Sequence, residues 1–235
     1  MKKLAFALLL VPFVYDLAGA SVVVSGWPLF WFPRNELNHL GYEAMGVGIG
    51  ARGGFRFLDG RNFHPYIFAD ASYLYYGSKD GFLPIVNSPA YEDGINYHSR
   101  YELYLVAPGA GVEYDFGMIR PYAEVFGGYS RYISSVLFHN RRNGPRTEQR
   151  DMFKGYAFNY GLGGGVRILV WKPSENDVKI NTNLLVDWKF IYFGGGETEV
   201  YYREPAVLNS DKVIFRTSKP AVDHVQIRLG FNFII

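Results

Sequence analysis

The sequence predicts an all-β protein: an eight-stranded antiparallel up-and-down transmembrane β-barrel with short periplasmic turns and long extracellular loops. Three observations predict it. Long segments alternate apolar and polar residues at period two, the mark of strands with two chemically different faces. The connections between them alternate between long and short, as in outer-membrane barrels. The chain also opens with an export-type leader.

That leader is residues 1–20. Lys2 and Lys3 precede an apolar run from Leu4 to Tyr15, and Ala18-Gly19-Ala20 supplies a small-x-small cleavage pattern. The run is interrupted by Pro12 and followed by Asp16, so it is too short for a membrane-spanning helix and reads as a secretory signal peptide. Residues 21–235 then form one domain, a size that single barrels reach. No later stretch offers a spanning helix, because every long apolar run is broken by charge, glycine or proline. A mature chain that enters a membrane must therefore do so with strands.

The clearest strands are Gly155–Val170, Val178–Phe193 and Val225–Ile235. In the second, Val186, Trp188, Phe190 and Tyr192 oppose Leu185, Asp187, Lys189 and Ile191. Weaker alternation marks Glu43–Leu58, Phe63–Tyr76, Ser99–Phe116 and Arg120–Phe138, and the short run Ser21–Phe30 makes an eighth. In Ser99–Phe116 the apolar parity slips. Tyr101, Leu103 and Leu105 share one face, and Ala110, Val112, Tyr114 and Phe116 share the other. A β-bulge at Pro108-Gly109 is expected to restore a common face.

Short connections fall at 59–62, 117–119 and 172–177, and long ones at 31–41, 77–98, 139–152 and 194–221. This parity puts both mature termini in the periplasm. The longest loop holds strand-like pieces, Glu197–Tyr202 and Lys212–Thr217. They extend the last hairpin beyond the membrane, or make ten strands if they insert.

Composition narrows the function. Among 235 residues there are 24 basic and 22 acidic side chains, no cysteine, 27 glycines, 19 tyrosines and 19 phenylalanines. Loss of the leader leaves 22 basic and 21 acidic. So weak a charge argues against a nucleic-acid partner. The lack of cysteine excludes a disulfide framework, a thiolate metal site and a cysteine nucleophile.

The less apolar face carries Arg52, Arg56, Asp70, Glu102, Glu113, Glu124, Arg167, Asp187, Lys189 and Arg228. Inside a narrow barrel these balanced charges can pair, with glycines leaving room for the arginines. Outside, they would be the solvated face of a secreted soluble barrel with a greasy interior. The export signal and the long strands favour the first arrangement. Tyr73, Tyr75, Tyr156, Tyr192, Trp171 and Trp188 near the strand ends suit interfacial girdles.

With Pro65-Tyr66 and Pro121-Tyr122 opening strands after short turns, glycine alternation at Gly46–Gly54 and Gly161–Gly165, and the final strand Val225–Ile235, the chain resembles the small outer membrane β-barrel family. That family includes the transmembrane domain of outer membrane protein A and the opacity-type surface proteins. The resemblance implies recognition of the C-terminal strand by the barrel assembly machinery. The family typically ends in phenylalanine, whereas this chain ends Phe233-Ile234-Ile235.

Catalytic chemistry is sparse. His39, His64, His98, His139 and His224 form no metal-spaced pair, and no nucleophile elbow or phosphate loop is present. No metal and no cofactor are expected. His98-Ser99 with Glu102 is the one hydrolase candidate, but neighbours in a strand point to opposite faces, so His98 cannot activate Ser99. The segment His139–Asp151 carries Arg141, Arg142, Arg146 and Arg150, a basic extracellular loop able to meet lipopolysaccharide phosphates or an acidic polymer. The sequence therefore points to a non-enzymatic outer-membrane protein with a structural or surface-interaction role and a plugged lumen. A narrow channel or a carrier for small hydrophobic molecules comes second, and a lipid-modifying enzyme third. Its partners are outer-membrane lipid, lipopolysaccharide, the assembly machinery and an unspecified extracellular ligand.

Overall fold

A computed structural model describes residues 20–34, 45–57, 62–84, 94–140, 149–173, 182–201, 207–209, 212–214, 217–219, 221 and 223–235. Eight long strands close on themselves: β1 (Ser21–Pro33), β2 (Gly46–Arg56), β3 (Phe63–Pro84), β4 (Gly94–Tyr114), β5 (Ile119–Asn140), β6 (Gln149–Trp171), β7 (Asn183–Gly195) and β12 (His224–Ile234). Each pairs antiparallel with its neighbour along the barrel, and β1 pairs with β12 to complete the ring. Four short strands, β8 (Val200–Tyr201), β9 (Val207–Asn209), β10 (Lys212–Ile214) and β11 (Thr217–Ser218), pair among themselves in the last connection. They do not enter the barrel, which has eight strands rather than ten.

The two faces are sharply different. Outward residues include Ile49, Phe158, Leu162, Trp188 and Phe231, each more than half exposed. Inward residues include Arg52, Asp70, Glu124, Arg167 and Arg228, each buried. Water would not tolerate so large an apolar surface on a monomer, and a soluble barrel inverts this arrangement. The wall is built for lipid.

The strands at the outer end run further than the spacing suggested. β3 continues through Ser78-Lys79-Asp80-Gly81, and β4 begins at Gly94. Polar residues on both faces hid these extensions. A register shift between Tyr75 and Ser78 marks where β3 bulges. Gly77 sits there at φ 101°, in the left-handed region that glycine enters without a Cβ clash. As a result β3 to β6 rise as a wall beyond the ends of β1, β2, β7 and β12. At the inner end the described part of β7 starts at Asn183, and the expected start at Val178 lies outside the described residues.

The bulge expected at Pro108-Gly109 is absent. Ala69 faces Pro108 and Phe68 faces Gly109 in unbroken register with β3, and the register with β5 is the same on either side. Tyr101, Leu103 and Leu105 are simply buried inside the barrel, while Val106, Val112 and Tyr114 face out. The strand keeps its direction. Its apolar residues change face because apolar side chains come to dominate the lumen.

Candidate functional site

The lumen is filled in layers. Its charged belt is built on β2 to β6, β7 and β12, from residues that alternation turns inward. Asp70 on β3 accepts a bidentate pair from Arg52, Nε to Oδ1 at 2.7 Å and Nη2 to Oδ2 at 3.0 Å. Arg228 on β12 donates to the same carboxylate through Nη1 at 2.6 Å. Glu124 on β5 is the other hub. Arg52 reaches both its oxygens, Nη2 at 3.0 Å, Lys189 pairs with it from β7, and the Tyr66 hydroxyl donates at 2.7 Å. Nearer the end that carries both chain termini of the barrel, Glu113 pairs with Arg167 and with Arg56, the latter at 3.3 Å. Tyr122 donates to Asp187 at 2.6 Å, and Arg167 lies 3.9 Å from that carboxylate.

Tyr66 and Tyr122 reach these carboxylates because glycine stands opposite them. A Cβ on Gly111 would lie 2.6 Å from Cζ of Tyr66, and one on Gly165 would lie 2.7 Å from the Tyr122 hydroxyl. The two Pro-Tyr strand openings thus place phenols into space that glycine vacates on the neighbouring strand. Cation–π contacts tie the belt to the aromatic rings around it, with Arg52 3.5 Å from the Phe68 ring centroid and Arg167 4.2 Å from that of Tyr122.

Of the ten charges expected inside, nine are there: Arg52, Arg56, Asp70, Glu113, Glu124, Arg167, Asp187, Lys189 and Arg228. Glu102 is not. It faces outward on β4, where Arg100 binds it at 2.7 Å. Its expected place inside followed from taking Tyr101, Leu103 and Leu105 as lipid-facing, and those three are the buried ones. Arg120 was missed and belongs to the belt. It is buried, pairs with Asp115 at 2.8 Å and approaches Glu113 at 3.9 Å. Its parity with Tyr122 and Glu124 was the available signal.

Toward the outer end apolar side chains dominate the lumen, around the buried polar residues Ser130, Asn159, His224 and Gln226. Phe68, Phe126, Ile191 and Phe193 pack above the charges, followed by Trp27, Leu29, Trp31, Leu74, Tyr101 and Leu103. At the other end Val23, Leu185 and Ile234 form a smaller apolar cluster on the adjacent strands β1, β7 and β12. Nothing in the sequence distinguishes these clusters, because inward apolar residues look like any core. A cavity of about 680 Å³, lined among others by Ile67, Ala110, Val112, Val125 and Leu162, opens on the lipid face of the wall.

The hydrolase candidate is dispersed as strand geometry requires. His98 is held by Asp80 at 2.7 Å on the exposed face, whereas Ser99 is buried and donates to the Lys79 carbonyl at 3.1 Å. Arg141, Arg142 and Arg146 lie outside the described residues, and Arg150 falls within β6. Among the described residues no cluster has the composition of a metal site.

No protein-family model matches the chain, and no curated protein sequence does. Among solved structures, the chain is similar to Neisserial surface protein A (13% identity, TM-score 0.39, 91% of this chain and 97% of that one). It is also similar to Ail, the attachment invasion locus protein of Yersinia pestis, solved in complex with the heparin analogue sucrose octasulfate (12% identity, TM-score 0.43, 92% and 99%). A third is a major outer membrane protein from Thermus thermophilus (12% identity, TM-score 0.42, 92% and 99%).

Proposed function

We propose that the protein is a non-enzymatic outer-membrane barrel, closed to solutes, whose raised wall serves as a structural and interaction surface at the cell exterior. The observation that carries this reading is the filled lumen: a buried, hydrogen-bonded charge belt beneath a layer of packed aromatic and aliphatic side chains. An eight-stranded barrel has room for side chains and little else. Here Glu113, Glu124 and Asp70 have no exposed side-chain surface, so no file of water passes them. The outer-wall cavity is a surface groove in lipid, not a passage, and gives a carrier no route through the barrel.

In this reading residues 1–20 are the export signal, and the assembly machinery recognises the C-terminal strand. Ser21 is the first residue of β1 and pairs with Arg56, which suits cleavage after Ala20. N-terminal sequencing of the barrel from outer membranes is expected to begin at Ser21. A chain retaining Lys2 and Lys3 there would refute the signal.

The function is tested in planar bilayers. The full barrel is expected to insert without discrete conductance steps at neutral pH. Regular single-channel openings from the purified protein would overturn the plug and favour a narrow channel.

A further inference from the structure

Three basic side chains stand on the outside of the barrel where the apolar wall ends. On β4, Tyr104 and Tyr114 both face outward, with Val106, Pro108, Ala110 and Val112 between them. Ten residues at ~3.3 Å each and a tilt of about 40° give a height of about 25 Å, the thickness of the lipid-facing band of such barrels. On β5 the outward residues between Ile119 and Arg131 are likewise uncharged. Arg131 therefore sits at the outer rim of the hydrocarbon.

The surroundings of that rim are specific. Tyr73, Tyr104, Arg131 and Tyr156 face one another in direct register across β3, β4, β5 and β6. Arg131 lies 5.8 Å from the Tyr156 ring centroid, and Tyr156 stacks on Tyr129 at 5.7 Å. Arg100 donates to the Tyr73 hydroxyl at 3.2 Å and lies 5.2 Å from the Tyr75 ring centroid. Lys154, one alternation beyond Tyr156, is exposed.

Glu102 neutralises Arg100. Arg131 and Lys154 have no acidic partner among the described residues, and Nε of Arg131 is buried without a hydrogen-bond partner. A guanidinium beside the Tyr156 ring with no acidic partner, next to an exposed ammonium at the membrane rim, lacks one thing: an anion. A phosphate suits it, because arginine binds phosphate through paired N–H donors and lysine adds a point charge.

We propose that Arg131 and Lys154, framed by Tyr129, Tyr156 and Arg100, bind the phosphorylated headgroup of an outer-leaflet glycolipid. Its acyl chains lie down the wall over Val106, Val125 and Phe158. The site rests on the outer-membrane reading above and uses none of the lumen. It differs from the arginine-rich segment 141–146, which is tested separately.

The test uses the full barrel in detergent micelles and fluorescently labelled lipopolysaccharide, native or phosphatase-treated. The variants are R131Q/K154Q and R141Q/R142Q/R146Q, each first checked for the heat-modifiable band of a folded barrel. Wild type and the loop variant are expected to bind the native lipid at least about tenfold more tightly than R131Q/K154Q. Loss of the phosphates should abolish that difference. Equal affinity of R131Q/K154Q and wild type for the native lipid would overturn the site. So would a loss confined to the loop variant, or competition by inorganic phosphate at micromolar concentration, which would mark a free-anion site. A protein with no heat-modifiable band and no membrane fractionation would instead fail the outer-membrane reading itself.

Discussion

Glu124→Gln is expected to destabilise the folded barrel by about 3–5 kcal/mol, the usual consequence of removing one partner from a buried ion pair. Its carboxylate joins Arg52, Lys189 and the Tyr66 hydroxyl with no exposed surface. Glutamine keeps the shape and one acceptor but removes the charge. Arg52 retains Asp70, so the main injury falls on Lys189, whose ion pair among the described residues is with Glu124. Urea unfolding from lipid vesicles is the measurement, with the midpoint expected to fall at unchanged slope. Adding Lys189→Met should recover much of the loss, because it removes the stranded charge and leaves an apolar chain beside Phe68 and Phe126. An unmoved midpoint in E124Q would mean that water reaches the belt, and the closed lumen would have to be abandoned.

Much of this was legible in the sequence, and the failures have a common cause. Alternation located the barrel strands, and the charges on their less apolar face located the belt, because a charge inside a strand facing lipid has nowhere else to go. Arg52 and Arg56 among the glycines of β2 are the plainest case. The rule breaks where the lumen stops being mainly polar. On β4, Tyr101, Leu103 and Leu105 fill the outer half of the barrel interior, so the apolar parity there names the inside, and Glu102 was assigned to the wrong face. The same blindness produced a bulge at Pro108-Gly109 that the register does not contain. Conversely, the real bulge at Gly77 lay in a segment that polar residues on both faces had made look like loop. Hydrophobicity reports burial in lipid and burial in protein alike, and the sequence carries no label telling one from the other.

Leu162→Arg separates those two kinds of burial by experiment. Leu162 is 65% exposed on the outer wall, opposite Val125 on β5 and Tyr192 on β7. It lies midway along β6 between Tyr156 and Ile168, near the centre of the apolar band. In lipid an arginine there is expected to cost about 2–4 kcal/mol, and the same change at Ile168, closer to the rim of the apolar band, only about 0–1 kcal/mol. If the barrel instead stood in water, both positions would be ordinary solvent-facing sites, and both changes would fall within about 0.5 kcal/mol of zero. The depth dependence therefore decides the matter better than either value alone. Refolding into vesicles and comparing the two urea midpoints gives it directly. A large loss at Leu162 with a small one at Ile168 places hydrocarbon against the wall, while two small losses would return the barrel to water and leave its apolar exterior to be covered by another protein surface.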